Sequence, residues 1–161
     1  MAITQEGGCL CSKIRYRVSN TPTHVTICHC KFCQRATGSS FLIEPIFRNL
    51  DFEILIGQPK QYTQTSASSG KNLTVNFCAD CGTKLFNKLE RLPDVVPVYG
   101  GTFDDPNWFD RSPKVARHIF FSFAQKGTMV PPNYEIYPER AVSDDGAKAA
   151  PLVFDKPFEV E

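Results

Sequence analysis

A mainly β protein is the fold class this sequence predicts, on three observations. Residues 10–18 alternate, with Ile14, Tyr16 and Val18 on one face and Lys13, Arg15 and Arg17 on the other, the period-2 pattern of a half-buried strand. Short β-prone runs bounded by turn residues then recur along most of the chain. Outside residues 31–38, no segment carries a helical apolar stripe. Several short strands at this spacing suggest a sandwich or a folded-over sheet.

In chain order, Thr21-Pro22 turns the chain after the first strand, and His24 to Cys30 is again strand-like. Lys31 to Thr37 forms a turn or short helix that Gly38 ends. Ser40 to Phe47, Asp51 to Ile56, Lys60 to Thr65 and Lys71 to Phe77 follow as strands, joined by Gly57-Gln58-Pro59 and by the Ser66–Gly70 linker. Thr83 to Leu89, Val95 to Gly100 and Val115 to Phe123 complete the apolar runs. Residues 1–137 are expected to form one domain, and 138–161, with Asp144-Asp145-Gly146 and further prolines, an extended or loosely packed extension.

Composition narrows the function classes. The 161 residues suit one domain, and 42% hydrophobic with 22% charged residues is the balance of a globular protein. No apolar stretch approaches the roughly 20 residues that span a bilayer, and the opening residues lack the basic and apolar parts of a signal peptide, so a cytoplasmic protein is expected. A net charge of +1 without blocks of one sign gives no footprint for nucleic acid, and no membrane partner is expected.

The seven cysteines are the chemical signal: Cys9-Leu10-Cys11, Cys28-His29-Cys30-Lys31-Phe32-Cys33 and Cys78-Ala79-Asp80-Cys81. The count is odd, which argues against a disulfide framework, and the short spacings let two thiolates of one loop reach one ion, so zinc is the leading expectation. Cys78 and Cys81, with Gly82 after them, read as a zinc knuckle. Cys9 and Cys11, two apart on a strand and so on one face, can close it into a four-thiolate structural site. Cys28, Cys30 and Cys33 then remain for a second zinc with an open fourth position, the arrangement of catalytic zinc. Two other arrangements satisfy the same arithmetic. A histidine or carboxylate completes the second site and both are structural, or one zinc binds and the spare cysteines are buried as hydrophobes. His29 points away if its neighbours face the metal, and His24 and His118 have no partner identifiable from spacing.

These motifs, with Gly101-Thr102-Phe103-Asp104-Asp105-Pro106, resemble the glutathione-dependent formaldehyde-activating enzyme family, also called the CENP-V/GFA domain, over about residues 2 to 125. The resemblance implies an Mss4-like fold of folded-over antiparallel sheets organised around two zinc ions per chain. It assigns Cys9, Cys11, Cys78 and Cys81 to the structural zinc and Cys28, Cys30 and Cys33 to the catalytic one. It also implies carbon–sulfur lyase or synthase activity on adducts of glutathione, or a similar small thiol, with a carbonyl or thioether substrate. After His118 the sequence departs from the family pattern, lacking its tryptophan-bearing ending. Three thiolates make zinc a weak Lewis acid better suited to receiving a thiolate than to generating hydroxide. Lys31 and Arg35 either orient glutathione carboxylates or are solvated charges, and Asp104 and Asp105 read as well as a turn as an acid or base. Mss4-like folds also serve as zinc-stabilised binding modules, the competing class, and a methionine sulfoxide reductase would need a reactive cysteine beyond Cys81, which the chain lacks.

Overall fold

The computed structural model describes residues 3–161, and among them the protein is mainly β. It divides into two compact units, one of residues 3–23 and 45–109, the other of residues 24–44 and 110–161.

In the first unit, β1 (Thr4–Gly8), β2 (Arg15–Ser19) and β5 (Phe52–Ile56) form an antiparallel sheet in the order β1-β2-β5. The predicted alternation is realised over residues 15–18: Tyr16 and Val18 are buried, as is Ile14 just before the strand, while Arg17 pairs with Glu6 and Glu53 and Arg15 with Asp104 on the other face. A second antiparallel sheet is β6 (Lys60–Thr65), β7 (Asn72–Phe77) and β8 (Lys84–Leu89). The core of this unit packs Tyr16 against Phe52 and Phe103, and Phe47 against Phe103 and Trp108, with Leu85 and Val98 fully buried. Burial of each such side chain stabilises the unit by about 1.5–3 kcal/mol.

In the second unit, β3 (His24–Cys28) leads into α1 (Lys31–Thr37), which leads into β4 (Leu42–Arg48). The strand β4 runs on into the first unit, where its Ile46–Arg48 end pairs with β9 (Val95–Pro97). β10 (Ala116–Ile119) lies parallel to β3, with Ile119 beside Cys28, and parallel to β12 (Glu135–Ile136) on its other side. β11 (Met129–Val130) pairs with β13 (Phe158–Glu159), and Leu152 exchanges backbone hydrogen bonds with Ile136, so residues after 138 are tied back to 129–137.

Two local expectations change. Residues 10–14 form a turn and not the start of a strand, with Ser12 at φ 59°. β1 has no period-2 apolar pattern in Thr-Gln-Glu-Gly-Gly and forms because β2 supplies its partner.

Burial and the nearby Arg117 cation hold the half-buried His24 at about 4, below its ordinary 6.5. The folded state then binds fewer protons than the unfolded one between these values. Its stability is fully present above pH 6.5 and falls as pH drops toward 4. In urea titrations, His24→Gln should remove roughly 1–3 kcal/mol of that acid sensitivity, the lower end reflecting solvent screening. Parallel pH profiles for both proteins would contradict this.

Candidate metal centre

The first cluster lies wholly in the first unit. After β1 the chain folds over in a tight turn in which the Cys9 N–H donates to the Ile14 carbonyl at 3.1 Å and the Ser12 N–H to the Cys9 carbonyl at 3.0 Å. This turn, and not strand alternation, brings Cys9 and Cys11 to one side, their sulfurs 3.5 Å apart. Between β7 and β8, Cys78 and Cys81 occupy a second turn. Gly82, at φ 74°, donates its N–H to the Cys78 carbonyl at 2.9 Å, a conformation that a side chain would strain. The Cys11 and Cys78 sulfurs stand 3.6 Å apart, and all four lie within 4.8 Å of one another.

Four thiolates at the usual zinc–sulfur distance form a tetrahedron with edges of roughly 3.8 Å. The Cys9–Cys11 and Cys11–Cys78 sulfur pairs come close to that edge, so the donor set and spacing fit zinc. The four thiols are already held unequally. Cys81 is lowered to about 5 by hydrogen bonds from the Thr83 hydroxyl and backbone. Burial raises Cys9, but the Ile14 N–H and the Cys11 and Cys78 thiols outweigh it and leave it lowered. Cys11, their donor, is raised to about 12.

The second cluster lies wholly in the second unit, where β3 ends and α1 begins. Cys28 is the last residue of β3, Cys30 caps α1 by accepting the Cys33 N–H at 3.3 Å, and Cys33 lies one turn into the helix. Gly38, left-handed at φ 66°, ends the helix with its N–H on the Gln34 carbonyl. The expected short helix is thus present with its stop signal. The three sulfurs lie within 4.8 Å of one another, and among the described residues no imidazole nitrogen or carboxylate oxygen joins the group at that distance.

The three thiols of this cluster are held unequally. Thiols of Cys28 and Cys33 donate to Cys30, as do the N–H groups of Cys33 and Phe32, and lower it to about 3. Cys28 rises well above its ordinary value by donating to Cys30, and Cys33 by its bonds to Cys28 and Cys30. The Glu44 charge adds to the rise in both. Such a thiolate-rich set suits a thiophilic divalent cation such as zinc.

Around the cluster the structure gathers residues that spacing did not point to. Glu44, buried on β4, accepts a hydrogen bond from the Thr26 hydroxyl at 3.3 Å, and Thr26 is two residues before Cys28 on β3. The Gln34 amide donates to the carbonyls of His29 at 2.6 Å and Phe123 at 2.8 Å. His29, expected to point away from its cysteine neighbours, and His118, given no partner by spacing, are buried and hydrogen-bonded to each other at 2.9 Å. Strand registry could have suggested such a pair, but its members are 89 residues apart in sequence.

The remaining candidates fall elsewhere. Lys31 places its ammonium 5.9 Å from the Phe123 ring centre, a cation–π contact, and Arg35 is exposed. Asp104 belongs to the first unit and is held bidentately by Arg15, while Asp105 accepts the Asn107 N–H at 2.9 Å as a turn residue.

A mainly β chain with two cysteine clusters suited to zinc is the class of protein that fold and geometry define. Residues 4–122 match the family described as glutathione-dependent formaldehyde-activating enzyme. The chain belongs to that family. No curated protein shows significant similarity to it. Among solved structures, a crystal structure of a Rhodobacter sphaeroides protein, a Northeast Structural Genomics target, is similar with a TM-score of 0.50 and 18% identity. The match covers 62% of this chain and 87% of that one. At that identity the likeness concerns the fold alone.

Proposed function

We propose that this protein is a zinc-dependent carbon–sulfur lyase or synthase that joins glutathione, or a similar small thiol, to a carbonyl compound and reverses that step. The three-cysteine cluster without a fourth ligand atom among the described residues carries the reading. Family membership supports it. In this reading Cys9, Cys11, Cys78 and Cys81 hold a structural zinc, and Cys28, Cys30 and Cys33 a catalytic one. Residues 1–137 form the zinc domain and 138–161 an extension of it, and the protein is cytoplasmic. Among the described residues, no helix is long and apolar enough to cross a membrane.

When bound, zinc lowers the pKa of an incoming thiol and stabilises the thiolate that leaves in the reverse direction. The residues of the chain set the terms. Cys28, Cys30 and Cys33 would hold the ion with three thiolates, and a substrate sulfur could serve as the fourth ligand. Gln34 ties the Cys28–Cys30 segment to the helix that carries Cys33. The buried Glu44 keeps negative charge near the cluster, which would make a bound thiolate more nucleophilic. In the synthase direction a sulfur–carbon bond forms, the carbonyl π bond breaks, and the proton released by the thiol ends on the carbonyl oxygen, so the reaction balances without a redox partner.

Freshly prepared, reduced protein should contain two zinc ions per chain by elemental analysis. One ion or none would overturn the two-site assignment. Glutathione should bind with release of a proton, since a thiol of pKa about 8.5 must deprotonate to ligate the metal. Calorimetry in buffers of different ionisation enthalpy counts that proton. S-methylglutathione, which has none to lose, should bind far more weakly. Equal binding of the two would show that sulfur does not reach the metal and would turn the reading toward a zinc–water mechanism or a binding module.

A further inference from the structure

His29 sits between two residues of the three-cysteine cluster, yet its ring turns to His118. Nε2 of His29 and Nδ1 of His118 are 2.9 Å apart, the rings lie 23° from parallel, and the residues are 0% and 4% exposed. Phe41 and Phe121 pack on His29 with ring centres 5.4 and 5.0 Å away. Phe121 and Tyr134 pack on His118 at 5.7 and 5.4 Å.

So apolar a box would accept two carbon rings without penalty. Two imidazoles leave His29 Nδ1 and His118 Nε2 buried with no hydrogen-bond partner. Whichever ring donates the shared proton, one outer nitrogen keeps an N–H and the other a lone pair, and both have given up water. Polar pairs buried at such cost are accounted for when they select one geometry over its neighbours.

We infer that His118 is a positioning residue for the three-cysteine cluster: it holds the imidazole of His29, and through that residue's backbone the directions in which Cys28 and Cys30 present their sulfurs. His29 is fastened at three points. Its N–H donates to the Ile119 carbonyl at 3.0 Å, its carbonyl accepts from Gln34 at 2.6 Å, and its ring is tied to His118. Ile119 and His118 are neighbours on β10, and Gln34 follows Cys33 on α1, so the anchors stand on the two elements that frame the cluster. Turning the His29 backbone swings a sulfur on each side of it, and the ring is the lever that resists the turn. The inference rests on zinc being bound by Cys28, Cys30 and Cys33, and not on which thiol or carbonyl reacts there.

The test compares zinc-loaded wild type with His118→Phe, which fills the box without a hydrogen bond, and His118→Gln, whose amide can reach His29 Nε2. Release of the more labile zinc to a chromophoric chelator should be about 10- to 100-fold faster in His118→Phe, the usual cost of losing a partner behind a ligand. The thiolate-to-metal absorption of its cobalt form should shift, the thermal midpoint should stay within a few degrees, and His118→Gln should recover both signals. Wild-type release and spectrum in His118→Phe, or equal losses in the two variants, overturn the inference. A wild type with no zinc at the three cysteines instead overturns the reading beneath it. Should His118→Phe fail to fold, long-range nitrogen-15 spectra of the zinc-loaded wild type decide. One slowly exchanging proton shared by His29 Nε2 and His118 Nδ1 supports the role, and its absence refutes it.

Discussion

Replacing Cys78 by alanine is expected to unfold the protein or to destabilise it severely. The four-cysteine cluster ties the turn after β1 to the turn between β7 and β8, across 67 residues of sequence between Cys11 and Cys78. Structural zinc contributes an apparent 10–16 kcal/mol in small domains, as much as the about 5–15 kcal/mol by which whole domains are stable. Three remaining thiolates would bind an ion less tightly, and Cys11 would keep the Cys9 sulfur and lose that of Cys78. Circular dichroism and thermal denaturation should show loss of the cooperative transition, with zinc content falling below two per chain. A Cys78→Ala protein with wild-type melting would remove this cluster from the folding of the domain.

Cys30→Ala should have the opposite profile. Cys30 caps a seven-residue helix, so its loss costs the cap, roughly 0.5–2 kcal/mol, and one thiol of the three-cysteine cluster. Cys30 lies in the second unit, apart from the four-cysteine cluster. If the proposed function holds, activity should fall by at least about a hundredfold, because the cluster would then keep two of its three thiolates for the metal. Adduct formation from glutathione and formaldehyde, followed beside the melting curve, separates the two effects. Equal damage to thermal stability from Cys78→Ala and Cys30→Ala would mean that both clusters are structural, and retained activity in Cys30→Ala would detach the chemistry from the three-cysteine site.

The sequence by itself determined the features that arise within a few residues. The knuckle of Cys78 and Cys81 with left-handed Gly82, the Cys28–Cys33 cluster wrapped around a helix start, and the stop at Gly38 depend on spacing and local backbone preference, and each was legible. So was the buried face of Tyr16 and Val18, because side-chain direction alternates along a strand whatever its partner, and Ile14 is buried as well, at the end of the turn before it. Tertiary structure alone decided what joins distant residues. Spacing had already grouped Cys9 and Cys11 with Cys78 and Cys81, but the structure joins them through a turn where alternation had suggested a strand. Strand β1 came from the partner that β2 offers to a stretch with no pattern of its own. The parallel pairing of β10 with β3 set His118 where it could meet His29, and β4 brought Glu44 to Thr26 beside the cluster. Short-range geometry is written in spacing because a few dihedral angles fix it. Contacts between residues many tens of positions apart are set by which strands pair and which faces find a core, and single-residue patterns record only that a face is apolar.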